Sequence, residues 1–143
     1  MSQLTEMLRR HEDSVRHVYV CSAGYETIGV GRNISESGLG LSDDEIDYLL
    51  KNDIARVEAE LESEYPWFKN LDRNRKDAMI DISFNLGATR LRGFKKSLAL
   101  METGDYSAAA QEFLDSRWAE QVGNRAIDVT TMIETGEYQN ASS

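Results

Sequence analysis

Three side chains able to do acid–base or nucleophilic work recur along one short stretch: Glu12, Cys21 and Thr27, in the pattern Glu-x8-Cys-x5-Thr. A glutamic acid donates a proton at neutral pH only where its surroundings raise its pKa. A free thiol, with a pKa of about 8.5, is mostly neutral at pH 7, and a nearby carboxylate raises it further. As a thiolate it is a nucleophile. Each residue also has a plain reading. Glu12 is then an exposed helix-end residue, Cys21 a small buried apolar one and Thr27 an ordinary strand residue.

The elements that must position these groups are a helix end and a hairpin. Residues 2–11 read as a short helix with Leu4, Met7, Leu8 and His11 on one face. His11 packs its ring at the helix end, and neither it nor His17 is assigned a catalytic role. Val18, Tyr19 and Val20 favour a strand, Ser22-Ala23-Gly24 a turn, and Tyr25, Thr27, Ile28 and Val30 a second strand. Gly29 and Gly31, inside that second strand, leave room for another group to approach the backbone.

With Met7-Leu8-Arg9 before it, and with Thr27-Ile28-Gly29-Val30-Gly31 closing it, this stretch resembles the active-site hairpin of T-even-phage-type lysozymes, glycoside hydrolase family 24. Those enzymes carry a glutamate, then an aspartate or cysteine, then a threonine at this spacing. The resemblance extends through Phe84-Asn85-Leu86-Gly87, Gly93-Phe94 with Ser97-Leu98, Ser116-Arg117-Trp118 and Asn124-Arg125-Ala126. Arg32 stands where a histidine is common in the family, and no role is carried to it.

Beyond the hairpin, Asn33 to Leu41 is a short Gly- and Ser-rich connection with room for one more edge strand, much shorter than in the T-even type. Ser42-Asp43-Asp44-Glu45 is a capping box whose acids suit a helix N-terminus. It opens a long helix with Ile46, Leu49, Leu50, Ile54, Val57 and Leu61 on one side, ending near Tyr65 because Pro66 cannot continue it. Asp72 caps a helix that stops at Gly87; others surround Leu98–Met101 and Ala109–Leu114, and the last spans roughly Asn124–Ile133, closed by Gly136. The tail, QNASS, reads as loose.

The fold class is therefore α+β: a single lysozyme-like domain over 1–143. A small β-hairpin lobe, about 12–41, is joined by a long helix, about 43–65, to a larger helical lobe, about 67–136. The N-terminal helix 2–11 is expected to pack with the helical lobe.

A chain of 143 residues suits one domain. No apolar run approaches the roughly 20 residues that span a bilayer, so no membrane insertion is expected. The N-terminus lacks the apolar centre of a secretory signal. One cysteine excludes an internal disulfide, and two histidines with it make a poor metal set. The net charge of −9 argues against nucleic-acid binding. That charge is polarised: residues 42–66 hold nine acids and two bases, whereas 69–96 hold eight bases and three acids. Solvated helix faces explain both runs, and a wall-facing basic patch over 90–96 is the other reading.

The resemblance implies an endolysin muramidase that cuts the β-1,4 bond between N-acetylmuramic acid and N-acetylglucosamine in peptidoglycan. Glu12 would be the general acid, with Cys21 and Thr27 managing the attack on the anomeric carbon. Arg125 would support Glu12, Asn85 would line the cleft at a family glutamine position, and Phe84 and Trp118 would flank the glycan. The glycan would lie between the lobes, with a hinge along 42–65. No cofactor or metal is implied. The protein would be a monomer, made in the host cytoplasm and acting in the periplasm after release by a separate holin-type protein. Two other readings are a peptidoglycan-binding module that has lost catalysis, and a structural or inhibitor-binding protein reusing the fold.

Overall fold

The computed structural model describes residues 2–139. The end of the QNASS tail, residues 140–143, lies outside them. The chain forms two compact units, the first ending at Leu50 and the second beginning at Lys51. Helix and small antiparallel sheet make the first unit and helices the second, an α+β architecture.

In the first unit, α1 (Gln3–Glu12) is capped by Ser2, whose hydroxyl accepts from the Thr5 amide at 3.0 Å. Arg9, Arg10 and His11 crowd its last turn, where cations suit the helix dipole. Its apolar face, with Leu4, Met7 and Leu8, is exposed. Three strands follow, β1 (Val15–Val20), β2 (Glu26–Gly29) and β3 (Arg32–Asn33), antiparallel in that order. Tyr19 faces Thr27 across the β1–β2 pair, and Thr27 faces Asn33 across β2–β3. The turn Ser22–Gly24 is closed by the Cys21 amide on the Tyr25 carbonyl, 2.9 Å, and the Gly24 amide on the Cys21 carbonyl, 2.8 Å.

Two expectations change here. The second strand stops at Gly29 rather than running to Val30, because Gly29 and Gly31 take φ of +70° and +72° and turn the chain into β3. The further edge strand is β3, at the start of the expected connection.

Helix α2 (Asp43–Glu64) begins with the expected capping box: the Ser42 amide donates to Glu45 Oε1 at 2.8 Å. Its apolar stripe is buried only at Val57 and Leu61; Ile46, Leu49, Leu50 and Ile54 remain 40–48% exposed. The first three belong to a unit in which, among the described residues, only Thr27 is buried, so that unit has no apolar core to receive them.

The core lies in the second unit. A short 3-10 helix (Pro66–Asn70) follows α2, then α3 (Arg73–Leu86), α4 (Ala88–Arg92), α5 (Lys95–Thr103), α6 (Tyr106–Leu114), α7 (Arg117–Val122) and α8 (Asn124–Thr135). Asp72, Asp105 and Ser116 cap α3, α6 and α7 with their side chains, and Gly87, Gly104 and Gly136 end α3, α5 and α8. Helices α3, α6 and α8 enclose Phe68, Met79, Ile82, Phe113 and Ile133, all fully buried. The short helices α4 and α7 were not anticipated; α4 carries only Ala88 and Leu91, and α7 only Trp118, Ala119 and Val122, over fewer than two turns each, too little for a periodic signal.

Candidate active site

The expected site residues fall into two groups, Glu12, Cys21 and Thr27 in the first unit and Phe84, Asn85, Trp118 and Arg125 in the second.

In the first unit Glu12 is the last residue of α1, and the next residue, Asp13, has φ of +65°. That is an unusual backbone for a residue with a side chain, and it turns the chain sharply from helix to strand immediately after the acid. The exposed Glu12 side chain lies against Gly31; a β-carbon there would meet Oε2 at 2.6 Å. The group expected to approach the hairpin glycines is thus the candidate acid itself.

Cys21 is half-buried at the mouth of the β1–β2 turn and is unpaired. The backbone amide of Tyr25, then the Thr27 hydroxyl, then the Ala23 amide hold its thiol below the ordinary value, outweighing slight desolvation. Thr27, 2% exposed, donates its hydroxyl to the Tyr25 carbonyl at 2.8 Å. One hydroxyl proton serves one acceptor at a time. It can stay on that carbonyl while Cys21 is a thiol and turn to the sulfur once a thiolate forms.

A further pair in this unit had no signal beyond the family's usual histidine. Arg32 binds Glu45 through Nη2 at 2.7 Å and Nη1 at 2.8 Å, and Nη1 also donates to the Gly40 carbonyl at 2.9 Å. Arg32, followed by the Ser42 amide and hydroxyl, lowers the Glu45 pKa to about 2. Glu45 thereby ties β3 to the start of α2.

In the second unit, Asp81 and Asn85 stand one turn apart on α3. Arg125, at the start of α8, donates from Nε to Asp81 Oδ1 at 2.9 Å. Trp118 donates its indole N–H to Asn85 Oδ1 at 2.6 Å. Because an indole nitrogen can only donate, this bond fixes the Asn85 oxygen inward and leaves both amide hydrogens outward. Phe84, 44% exposed, is available on the surface.

Trp118 is the correction. It is 2% exposed, its ring meets Phe94 and Phe113 edge-on with centroids 6.4 Å away, and its N–H is spent on Asn85. It is a core residue that orients Asn85, and no face of it is free to flank a glycan. Asp81 was missed; its one signal was a carboxylate four residues before Asn85 on the same helix.

A glutamate at a helix end, a cysteine at a hairpin turn and a threonine on a small antiparallel sheet, in a chain that also forms an α-helical unit, make the arrangement of a lysozyme-like protein. The chain belongs to the phage lysozyme family, whose model matches residues 9–132. It is 29% identical over 163 aligned positions to "Probable T4-type lysozyme 1" of Dictyostelium discoideum, covering 95% of this chain and 96% of that protein. A second relative from the same organism, "Probable T4-type lysozyme 2", is also 29% identical, with the same coverage of both chains. The "Pre-baseplate central spike protein Gp5" of Enterobacteria phage T4 is 28% identical over 96% of this chain, which matches only 28% of that protein. The family acts on peptidoglycan. Among the described residues no helix is long and apolar enough to cross a membrane.

Proposed function

We propose that the protein is an endolysin muramidase, hydrolysing the β-1,4 bond between N-acetylmuramic acid and N-acetylglucosamine to lyse a host cell. The observation that carries this reading is the hairpin itself: Thr27 is the one buried residue among those described in its unit, and its hydroxyl adjoins a Cys21 thiol whose pKa is lowered, in a chain of the phage lysozyme family. Glu12 gives its proton to the leaving glycosidic oxygen. The Cys21 thiolate takes a proton from a water steadied by Thr27, and that water's oxygen bonds to the anomeric carbon as the glycosidic bond breaks. Attack by the sulfur itself would instead retain the anomeric configuration, so NMR of the first-formed anomer separates the two routes. Phe84 and the outward amide hydrogens of Asn85 contact the substrate. The enzyme needs no cofactor and works as a monomer, on the wall, after a holin-type protein has released it.

The rival reading is a binding module without catalysis. A Glu12→Gln variant decides between them: it should release no reducing sugar from purified sacculi yet still sediment with them. Sedimentation without hydrolysis by the wild type would favour the module.

A further inference from the structure

A groove of about 590 Å³ runs between the second half of α2, the end of α3 and α4, and a shallower one of about 290 Å³ continues it toward α5. Glu64, Tyr65 and Arg92 border both. None of the residues assigned a catalytic or substrate role above lines either one.

Three features suit a neutral, hydroxyl-rich ligand. First, Ser83, 5% exposed, borders the deeper groove and brings a neutral hydroxyl to its lining. Second, every charge bordering the deeper groove is already neutralised: Arg92 Nε lies 2.6 Å from Glu64 Oε1, and Arg56 lies 3.2 Å from both Asp53 and Glu60. Such pairs offer unused N–H groups and lone pairs in fixed directions but no free counter-ion for a charged peptide. Third, Trp67 and Tyr65 border the shallower groove as half-buried rings, centroids 5.4 Å apart and tilted by 38°. Aromatic rings that are apolar on one side and wet on the other are suited to stacking on the C–H face of a sugar.

We propose that this double groove is a second binding site for an N-acetylated glycan strand, separate from the catalytic residues. It would hold the enzyme on its polymer between cleavages. The inference rests on the reading that peptidoglycan is the substrate.

The test uses the full chain carrying Glu12→Gln, titrated with chitohexaose and with peptide-free glycan strands while tryptophan emission is followed. The chain has two tryptophans, and Trp118 is 2% exposed, so a ligand on this groove reports through Trp67. The expected result is a saturable change in emission that disappears in Trp67→Phe. Arg92→Met should weaken it by about fivefold, the weight of one hydrogen bond. A silent Trp67 at saturating sugar would overturn the proposal, as would an equal response to a free stem tripeptide. The wild type, assayed for lysis alongside, separates the two readings. Lysis with a silent Trp67 removes this site alone, and a responding Trp67 without lysis removes the catalytic reading alone.

Discussion

The Glu12 carboxylate and the backbone of Gly31 are in contact: a β-carbon on Gly31 would sit 2.6 Å from Glu12 Oε2 and 3.1 Å from Cγ and Cδ. A helix end and a hairpin glycine thus define the position of the candidate acid together. Gly29 has nearly the same φ of +70°, but a β-carbon there would meet nothing within 4 Å, which makes it the internal control.

Alanine at either glycine should cost about 1–2 kcal/mol in backbone strain. Only Gly31→Ala also displaces Glu12, and a displacement near 1 Å can lower turnover by about 100-fold. Paired thermal melts and sacculus hydrolysis should therefore show similar losses of stability and very different losses of activity.

The Cys21 thiol, lowered mainly by the Tyr25 amide and next by the Thr27 hydroxyl, should be alkylated by iodoacetamide with a midpoint below the ordinary value of about 8.5. Thr27→Val should move that midpoint upward without abolishing the effect, because the amides remain. An unchanged midpoint would remove Thr27 from the sulfur's surroundings. In the catalytic reading, activity rises with pH through the same midpoint.

Glu45 gives the acid limb of stability. Its folded-state pKa of about 2 lies below the ordinary carboxylate value, so between those two values the unfolded chain binds more protons than the folded one. Its stabilising contribution is present above the ordinary value and is lost as pH falls toward 2. Melts of wild type between pH 5 and pH 2 should fall more steeply than those of Glu45→Gln. Hydrogen exchange should place the loss in β3 and the first turn of α2, which Arg32 joins to Glu45.

The Trp118–Asn85 bond predicts a division between stability and substrate affinity. Trp118→Phe keeps an aromatic ring in the core but removes the donor to the exposed Asn85, a cost of about 0.5–1.5 kcal/mol. Asn85→Asp keeps the acceptor for the indole and loses both outward hydrogens. It should melt near the wild type yet show a raised KM.

Much of this was legible in the residues. Capping signals placed α2, α3 and their ends because Ser42, Asp72, Pro66 and Gly87 act on backbone groups within a few residues of themselves. The candidate site was legible as a spacing, Glu12 to Cys21 to Thr27, and Gly31 as a place of close approach. What stayed hidden depends on packing between distant segments. The periodicity of Ile46, Leu49 and Leu50 announces an apolar face but cannot say that their unit lacks a core to receive it. An aromatic such as Trp118 reads alike whether it faces solvent or Phe113, and Asp81 acquires meaning only once α8 brings Arg125 to it.

Whether Glu12 is the proton donor of a working muramidase decides the rest. The direct test is the loss of turbidity of outer-membrane-permeabilised Gram-negative cells, with wild type, Glu12→Gln and Cys21→Ser compared at equal folded concentration. Rapid clearing by the wild type is expected, none by Glu12→Gln, and a strongly slowed rate for Cys21→Ser. Clearing by Glu12→Gln at the wild-type rate, or no clearing by well-folded wild type, would contradict that role.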